Sequence, residues 1–308
     1  MNSKTLNYKI SVIMPVYNGA NTLAETLDSL LDQTCQDFEL IACIDGSKDD
    51  SLKILQSYQN KFKSLHILEN PQNMGLGRTM NRLVFHAQGD YIAVAEQDDF
   101  YYPHRLELQK KVLDSQYEVG LVSGIAEFWD GEHVTFKFPG LLVDGKSYPK
   151  GKEMFLMNYR DQLKVVNSCM MFRKALHVNN GLYFSMHYPN IPIDWAYVLR
   201  FSLISEIQGI PKELVRLDRS HDRTSITTYK YIRFKAAREL IRSFAYEYPH
   251  IITKEDHRYA LCTQFIIEIN QHLGLTFIMY SLFYILRYPL EHRFKANLFK
   301  RIKKKFRL

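Results

Sequence analysis

Asp98 and Asp99 are adjacent carboxylates placed directly after an apolar run, Tyr91-Ile92-Ala93-Val94-Ala95. Two such charges repel each other and are most comfortable beside a cation, and Mg2+ or Mn2+ favours oxygen ligands of this kind. The other reading is that one of them caps the helix that opens near Pro103. On these residues alone both readings stand. A second group is Gly75, Gly77 and Arg78 at the head of a helical pattern. Backbone N–H groups and one fixed cation there suit a phosphate, although the spacing is neither G-x-G-x-x-G nor a Walker loop. Asp194 heads a further helical stretch, where an aspartate by itself reads as an N-cap, and His221 by itself reads as a loop histidine. Cys35, Cys43, Cys169 and Cys262 are isolated, with no C-x-x-C pair, and read as buried small hydrophobes in a reducing cytosol.

The elements that must position these residues alternate. Ile10–Tyr17, Glu39–Ile44, Leu65–Leu68 and Tyr91–Ala95 are predicted strands. Thr22–Gln33, with Asn21 as its cap, Asp50–Phe62, Gly77–Ala87 and Pro103–Ser115 are predicted helices. This rhythm implies an α/β unit with a mainly parallel sheet covered on both faces. Val119–Phe128 and Val134–Phe138 flank Trp129-Asp130-Gly131 as a hairpin. Residues 139–165 look irregular, Val166–Phe172 strand-like and Asp194–Ser202 helical, and from Tyr229 onward nearly all is helical. In an open parallel sheet, ligands bind beyond the carboxyl ends of the strands. Four such ends here are Pro15-Val16-Tyr17-Asn18-Gly19, Asp45-Gly46-Ser47, Asn73–Arg78 and Glu96-Gln97-Asp98-Asp99. Each supplies an Asp, Asn, Arg or Gly.

Taken in order, these segments resemble the family 2 glycosyltransferases. The resemblance rests on Ser11-Val-Ile-Met-Pro-Val-Tyr-Asn18, the Leu-rich helix ending in Gln33-Thr34, and Asp45-Gly46-Ser47 with Asp49. It continues through Asn73-x-Gly75-Leu76, Asn81, Gly89-Asp90-Tyr91-Ile92-Ala93, Asp98-Asp99 and Pro103-x-Arg105-Leu106-Glu107-x-Gln109. It covers about residues 9–228. It implies a GT-A fold, with a catalytic domain over 1–228 and a helical C-terminal extension over 229–308. By the same resemblance Pro15, Tyr17, Asn18 and Asp45 contact the nucleoside, and Arg78 and Asn81 approach base and phosphates. Glu96-Gln97-Asp98 takes the D-x-D place, with Asp98 as the metal ligand. Asp194 matches the catalytic base, and His221 a histidine that completes the metal or diphosphate site. Arg105 and Gln109 are expected to tie the metal loop to its helix, and Tyr183 to pack beneath an acceptor loop. Three positions depart from the pattern: Ile44, Glu96 and Ile193 stand where acids are common.

The resemblance therefore implies an inverting transfer from a nucleoside diphosphate sugar, most simply a UDP-sugar, to a glycan or lipid-linked acceptor. Mn2+ or Mg2+ would assist the leaving group, and Asp194 would take the hydroxyl proton. The altered acidic positions favour an alternative, a non-catalytic nucleotide-sugar-binding or scaffolding protein of a glycan assembly complex. A nicotinamide oxidoreductase is disfavoured by Pro15-Val16-Tyr17-Asn18 where a glycine-rich turn would stand.

Composition sets the surroundings. The chain has 308 residues, 46% hydrophobic, and a formal net charge of +7, which is ample material for a core. Nine basic residues and one acid fall in Arg287–Leu308, so the last 22 residues carry +8 and the rest −1. A basic body of the kind that wraps nucleic acid is excluded. The uncharged run Leu275–Leu286 is too short for a spanning helix. It reads either as a buried helix or as a segment lying in a bilayer surface. Leu290, Phe294, Leu298, Ile302 and Phe306 recur every four residues among cations. Such a basic amphipathic helix is expected to contact an anionic membrane, which places the protein at the inner face of the cell membrane.

Overall fold

The computed structural model describes residues 8–138, 147–163, 165–186, 193–219 and 230–306. Residues 1–155 with 163–228 form one compact unit, and 156–162 with 229–308 a second.

The first unit is built on one sheet with the strand order β3-β2-β1-β4-β9-β6-β10-β5. Its first half contains β1 (Ile10–Val16), β2 (Phe38–Asp45), β3 (Leu65–Asn70) and β4 (Tyr91–Val94), all parallel. The strands β1 and β2 are buried almost throughout, which is why they read as unbroken apolar runs rather than as alternation. Between them run α1 (Leu23–Leu31), α2 (Ser51–Ser57) and α3 (Leu76–His86). Leu23, Leu27 and Leu30 of α1 enter the core completely. The chain order turns at β1, which has β2 on one side and β4 on the other, so a crevice opens beyond the ends of β1 and β4.

The other half is mixed. The short β5 (Asp99–Tyr101) and α4 (Arg105–Ser115) are followed by the hairpin of β6 (Val119–Trp129) and β7 (Val134–Phe138). Next come β8 (Ser147–Tyr148), α5 (Lys152–Asp161), a 3-10 turn at Asn167–Cys169, β9 (Met171–Arg173) and α6 (Lys174–Asn179). The helix α7 (Ile193–Ser202) and the long β10 (Glu206–Asp218) complete the unit. Antiparallel β9 sits between β4 and β6, and β10 runs parallel to β6 and antiparallel to β5.

Several expectations change. Asn21 is not the cap of α1: the helix opens at Leu23 after Thr22, whose hydroxyl bonds the Gln97 carbonyl 3.1 Å away. Residues 139–165 are not all irregular, since α5 lies within them. Of 166–172 only the last two residues are strand, and Asn167–Cys169 form a 3-10 turn. Trp195 is wholly buried and packs inside the unit. Of the four cysteines expected to be buried, Cys43, Cys169 and Cys262 are, and Cys35 is half-buried; burial pushes the Cys43 thiol up to about 11.

The second unit contains the end of α5 with α8 (Lys230–Glu247), α9 (Lys254–Ile269), α10 (Gly274–Arg287) and α11 (His292–Phe306). A capping box between Thr253 and Asp256 starts α9. Tyr159 donates to the Ile241 carbonyl at 2.7 Å, and Arg160 pairs with Asp256. Cys262, Ile269, Phe277 and Phe294 form the unit's buried apolar cluster, against which Tyr284, Tyr288 and Leu298 pack.

Candidate active site

The exits of β1, β2 and β4 are cross-tied by side chains on the loops themselves. Tyr17 N–H donates to Gln97 Oε1 at 2.7 Å, and Gln97 Nε2 donates back to the Tyr17 carbonyl at 3.0 Å. This two-point clamp leaves the Tyr17 ring half exposed, at 47%. Asn18 sits in the left-handed region at φ 49°. Its N–H donates to Ser47 Oγ, and its Oδ1 accepts from Lys48 N–H at 2.9 Å. Gly19 N–H donates to Ser51 Oγ and Ala20 N–H to Asp49. Ser47, Asp49 and Ser51 thus work as acceptors that fix the β1 exit.

Asp45 is buried at the end of β2. Its carboxylate accepts from Asn70 Nδ2 at 2.7 Å, Met74 N–H at 2.8 Å and Gly75 N–H at 3.0 Å. Gly46 has φ 70°, and a Cβ there would lie 2.4 Å from Asn73 N, so only glycine lets the 72–75 loop approach. The expectation that the Gly75 N–H receives phosphate is therefore corrected, because that group already donates to Asp45 and Asn73. Arg78 is exposed on the first turn of α3. Asn81 is committed to the fold: its Nδ2 donates to the Phe184 carbonyl at 2.9 Å and its Oδ1 accepts from Phe184 N–H at 2.8 Å. That pair anchors the segment around residue 184 against α3. Gly77 allows the same approach, since a Cβ there would meet the Ser185 carbonyl oxygen at 2.0 Å.

The acidic group lies just past β4. Carboxylate oxygens of Glu96, Asp98 and Asp99 fall within 4.8 Å of one another. Asp99 begins β5, and α4 starts only at Arg105, with His104 preceding it and no side-chain cap. The capping alternative for Asp98 and Asp99 thus falls away. Burial, and then the neighbouring Asp98 charge, push the Glu96 carboxyl up to about 7. Asp194 adds to that rise, which brings the first turn of α7 within electrostatic reach of Glu96, while Asn167 and Arg219 oppose it. Burial, with Glu96 and Asp98, also holds Asp99 well above the usual carboxylate range, and its Oδ2 is buried without a hydrogen bond. An all-oxygen set of this kind, short of positive charge and with an orphaned buried carboxylate oxygen, fits a hard divalent cation.

Beneath this group, Arg105 and Gln109 hold the strand ends beside the 96–99 loop, and their hydrogen bonds go to those strands and the 3-10 turn. The wholly buried Arg105 guanidinium donates to the Val94 carbonyl at 2.7 Å and lies over the Tyr101 ring at 4.5 Å. Gln109 donates to the Cys169 carbonyl at 2.7 Å. The β4 end is thereby fixed to the 3-10 turn. Tyr183 is half-buried beneath the Arg200 guanidinium, 4.9 Å from it.

Sequence reasoning missed two neighbours of the carboxylates. Asn167 donates to Glu96 Oε1 at 2.9 Å from the 3-10 turn, and its own Oδ1 is buried without a partner. No local motif marks it, because the 3-10 turn was read as strand. Arg219, at the end of β10, offers positive charge to Glu96 and Asp99. It stands two residues before His221 in the segment already singled out. His221 itself lies outside the described residues. The structure thus brings Tyr17, Asn18, Gln97 and Asp45 into one set of loop exits, and Glu96, Asp98, Asp99 and Asp194 into one acidic region. It commits Asn81 to packing.

A family model described as Glycosyl transferase family 2 matches residues 11–179. EpsE of Bacillus subtilis strain 168, named as a glycosyltransferase, is 32% identical over 184 residues, 57% of this chain and 66% of that protein. The poly(ribitol-phosphate) beta-glucosyltransferase of Bacillus spizizenii is 39% identical over 95 residues, 30% of this chain and 15% of that protein. Both matches span less than two thirds of the relative's length. Among solved structures, S. aureus TarS 1-349 in complex with UDP-GlcNAc superposes with a TM-score of 0.67 at 19% identity, covering 94% of this chain and 83% of that one. The mannosyltransferase PcManGT of Pyrobaculum calidifontis, in complex with GDP-Man and Mn2+, gives 0.57 at 15% identity, covering 95% and 83%. These likenesses establish the GT-A type of fold. The family model spans more than half of the chain, and the chain belongs to glycosyltransferase family 2.

Proposed function

We propose that the protein is an inverting, metal-dependent glycosyltransferase. It moves a hexosyl group from a nucleoside diphosphate donor, a UDP-sugar, to a hydroxyl of a lipid-linked or surface glycan. The observation that carries this reading is the acidic group of Glu96, Asp98 and Asp99 at the sheet's switch point, with Asp194 in electrostatic reach. Residues 1–228 act as the catalytic domain and 229–308 as a helical extension. Pro15, Tyr17, Asn18 and Asp45 take the nucleoside at the clamped exits of β1 and β2. Arg78 and Arg219 supply fixed positive charge toward the diphosphate. Mn2+ or Mg2+, held by Asp98 with Glu96, would neutralise the charge that develops on the leaving diphosphate. Asp194 takes the proton of the acceptor hydroxyl as that oxygen attacks the anomeric carbon from the face opposite the diphosphate. One displacement inverts the centre. His221 completes the diphosphate side. The protein works at the inner face of the cell membrane, where a lipid-linked acceptor is held.

The test pairs nucleotide binding with turnover. UDP and a panel of UDP-sugars are titrated with and without Mn2+, and UDP release is followed in the presence of acceptor lipid extract. Asp98→Asn should abolish the metal-dependent part of binding. Asp194→Asn should leave binding intact and slow transfer by about 10²–10⁴-fold. Unchanged turnover in both variants, or no nucleotide binding at all, would overturn the enzyme reading in favour of a non-catalytic scaffold.

A further inference from the structure

The helical unit carries an apolar surface that its own core does not use. In α10, Phe277, Ser281, Tyr284 and Tyr288 recur at helical spacing and face the buried cluster with Phe294 and Cys262. On the opposite side, Leu275, Met279, Leu282 and Leu286 recur at the same spacing, with Phe283 and Leu290 beside them. These six are between 49% and 80% exposed. The helix is thus apolar on two faces and buried on one, so the buried-helix reading of this segment holds for one face only. The last helix behaves differently from expectation. Phe294 is buried, Leu298 packs on the cluster, and Arg301 lies over the Phe277 ring at 4.3 Å. Its apolar stripe divides: Phe294 and Leu298 hold the unit together, while Leu290 and Ile302 stay exposed.

The charge around the outward face has one sign. No acid occurs between Leu273 and Leu308 except Glu291, and Arg293 holds that carboxylate at 2.8 Å. Arg287, Lys295, Lys300 and Lys303 are exposed. A second copy of this unit would bring cations against cations. An anionic bilayer matches both features, since acyl chains receive the leucines and headgroups receive the lysines. With 14 residues, α10 is about 21 Å long, and no described helix is long and apolar enough to cross a membrane. It can lie in the interface.

We propose that the outward face of α10, with the exposed cations that follow it in the sequence, docks the protein on an anionic lipid surface with the helix lying in the membrane plane. The inference rests on the reading above that the acceptor is held at a membrane, and it names the surface that brings the enzyme there. Full-length protein is sedimented with vesicles of phosphatidylcholine and phosphatidylglycerol, or of phosphatidylcholine alone, without donor or metal. Binding is expected to the mixed vesicles and to weaken with salt. Leu282→Glu with Leu286→Glu should lower it by about tenfold or more, with circular dichroism and UDP release in solution unchanged. Phe283→Trp should be quenched by brominated lipids. Absence of vesicle binding, or binding without quenching, overturns the proposal. So does concentration-dependent dimerisation that the double substitution removes, which would assign the face to a protein contact. Absence of any transferase activity in a protein that binds vesicles would sink the enzyme reading and leave this surface standing.

Discussion

His177 offers a clean test of how α6 and α7 are held together in the first unit. It is buried in α6 among Phe172, Phe184 and Tyr197, with Nδ1 3.0 Å from the Tyr197 hydroxyl. Burial lowers its pKa from 6.5 to about 4. The folded state therefore resists a proton that the unfolded chain accepts readily. Between pH 6.5 and 4 the unfolded state binds more protons, so stability is present above that window and falls as the pH drops through it. At about 1.4 kcal/mol per pKa unit, roughly 2 kcal/mol is gone by about pH 5 and roughly 3 kcal/mol by about pH 4. His177→Phe keeps a ring of similar size, removes the titrating group and leaves the Tyr197 hydroxyl unpaired, at about 1–2 kcal/mol. The variant should thus be less stable near neutral pH and equal to or better than the parent near pH 5. Urea unfolding followed by tryptophan fluorescence reads this directly, because the chain's two tryptophans, Trp129 and Trp195, both lie in the catalytic unit. Parallel stability curves for parent and variant between about pH 7.5 and 5 would refute the reasoning. The consequence for the site follows from spacing: Tyr197 is one helical turn beyond Asp194 in α7.

Two further outcomes are expected. Asn81→Ala removes both hydrogen bonds to the Phe184 backbone, and should cost about 1–3 kcal/mol in the same fluorescence assay; a loss below about 0.5 kcal/mol would show that the segment around 184 is held by packing alone. Phe294→Ala empties the core of the helical unit and should cost about 3–5 kcal/mol by far-ultraviolet circular dichroism, whereas Leu290→Ala on the outward side should change stability by under about 0.5 kcal/mol.

The first half of the catalytic unit was legible because its signals are local. Buried parallel strands are unbroken apolar runs, so β1, β2 and β4 could be placed from composition alone, as could the leucines of α1. The second half was not. The bulged β10, with exposed Lys212 and polar Glu213 inside it, lacks both the apolar run and the alternation that mark a strand. The 3-10 turn at Asn167–Cys169 keeps the apolar neighbours of a strand and hides a polar contact to Glu96. The same limit governed the site. Residue types at strand exits pointed to a cation and a nucleotide, yet which polar groups remain for a ligand depends on partners far away in sequence. Asn81 and the Gly75 N–H look available in a motif and are taken by Phe184 and Asp45 in the fold. The four-residue repeat of the tail divides in the fold, with Phe294 and Leu298 packed and Leu290 and Ile302 exposed, because a repeat alone cannot say which of its members meet another helix.

The acidic group past β4 belongs to a stretch with little net charge of its own: the tail carries +8 and the rest of the chain −1. Among the described residues, Arg219 lowers the Glu96 and Asp99 values, yet they stay raised. Arg219 is itself engaged, donating to the Asp218 carbonyl at 3.1 Å and lying over Phe128. Arg105 is nearer to the core, but its guanidinium is turned to the Val94 carbonyl and the Tyr101 ring. A fold that wanted only stability would replace such a cluster with apolar or singly charged side chains, because buried like charges oppose folding. Retaining Glu96, Asp98 and Asp99 together makes sense when positive charge arrives from solution.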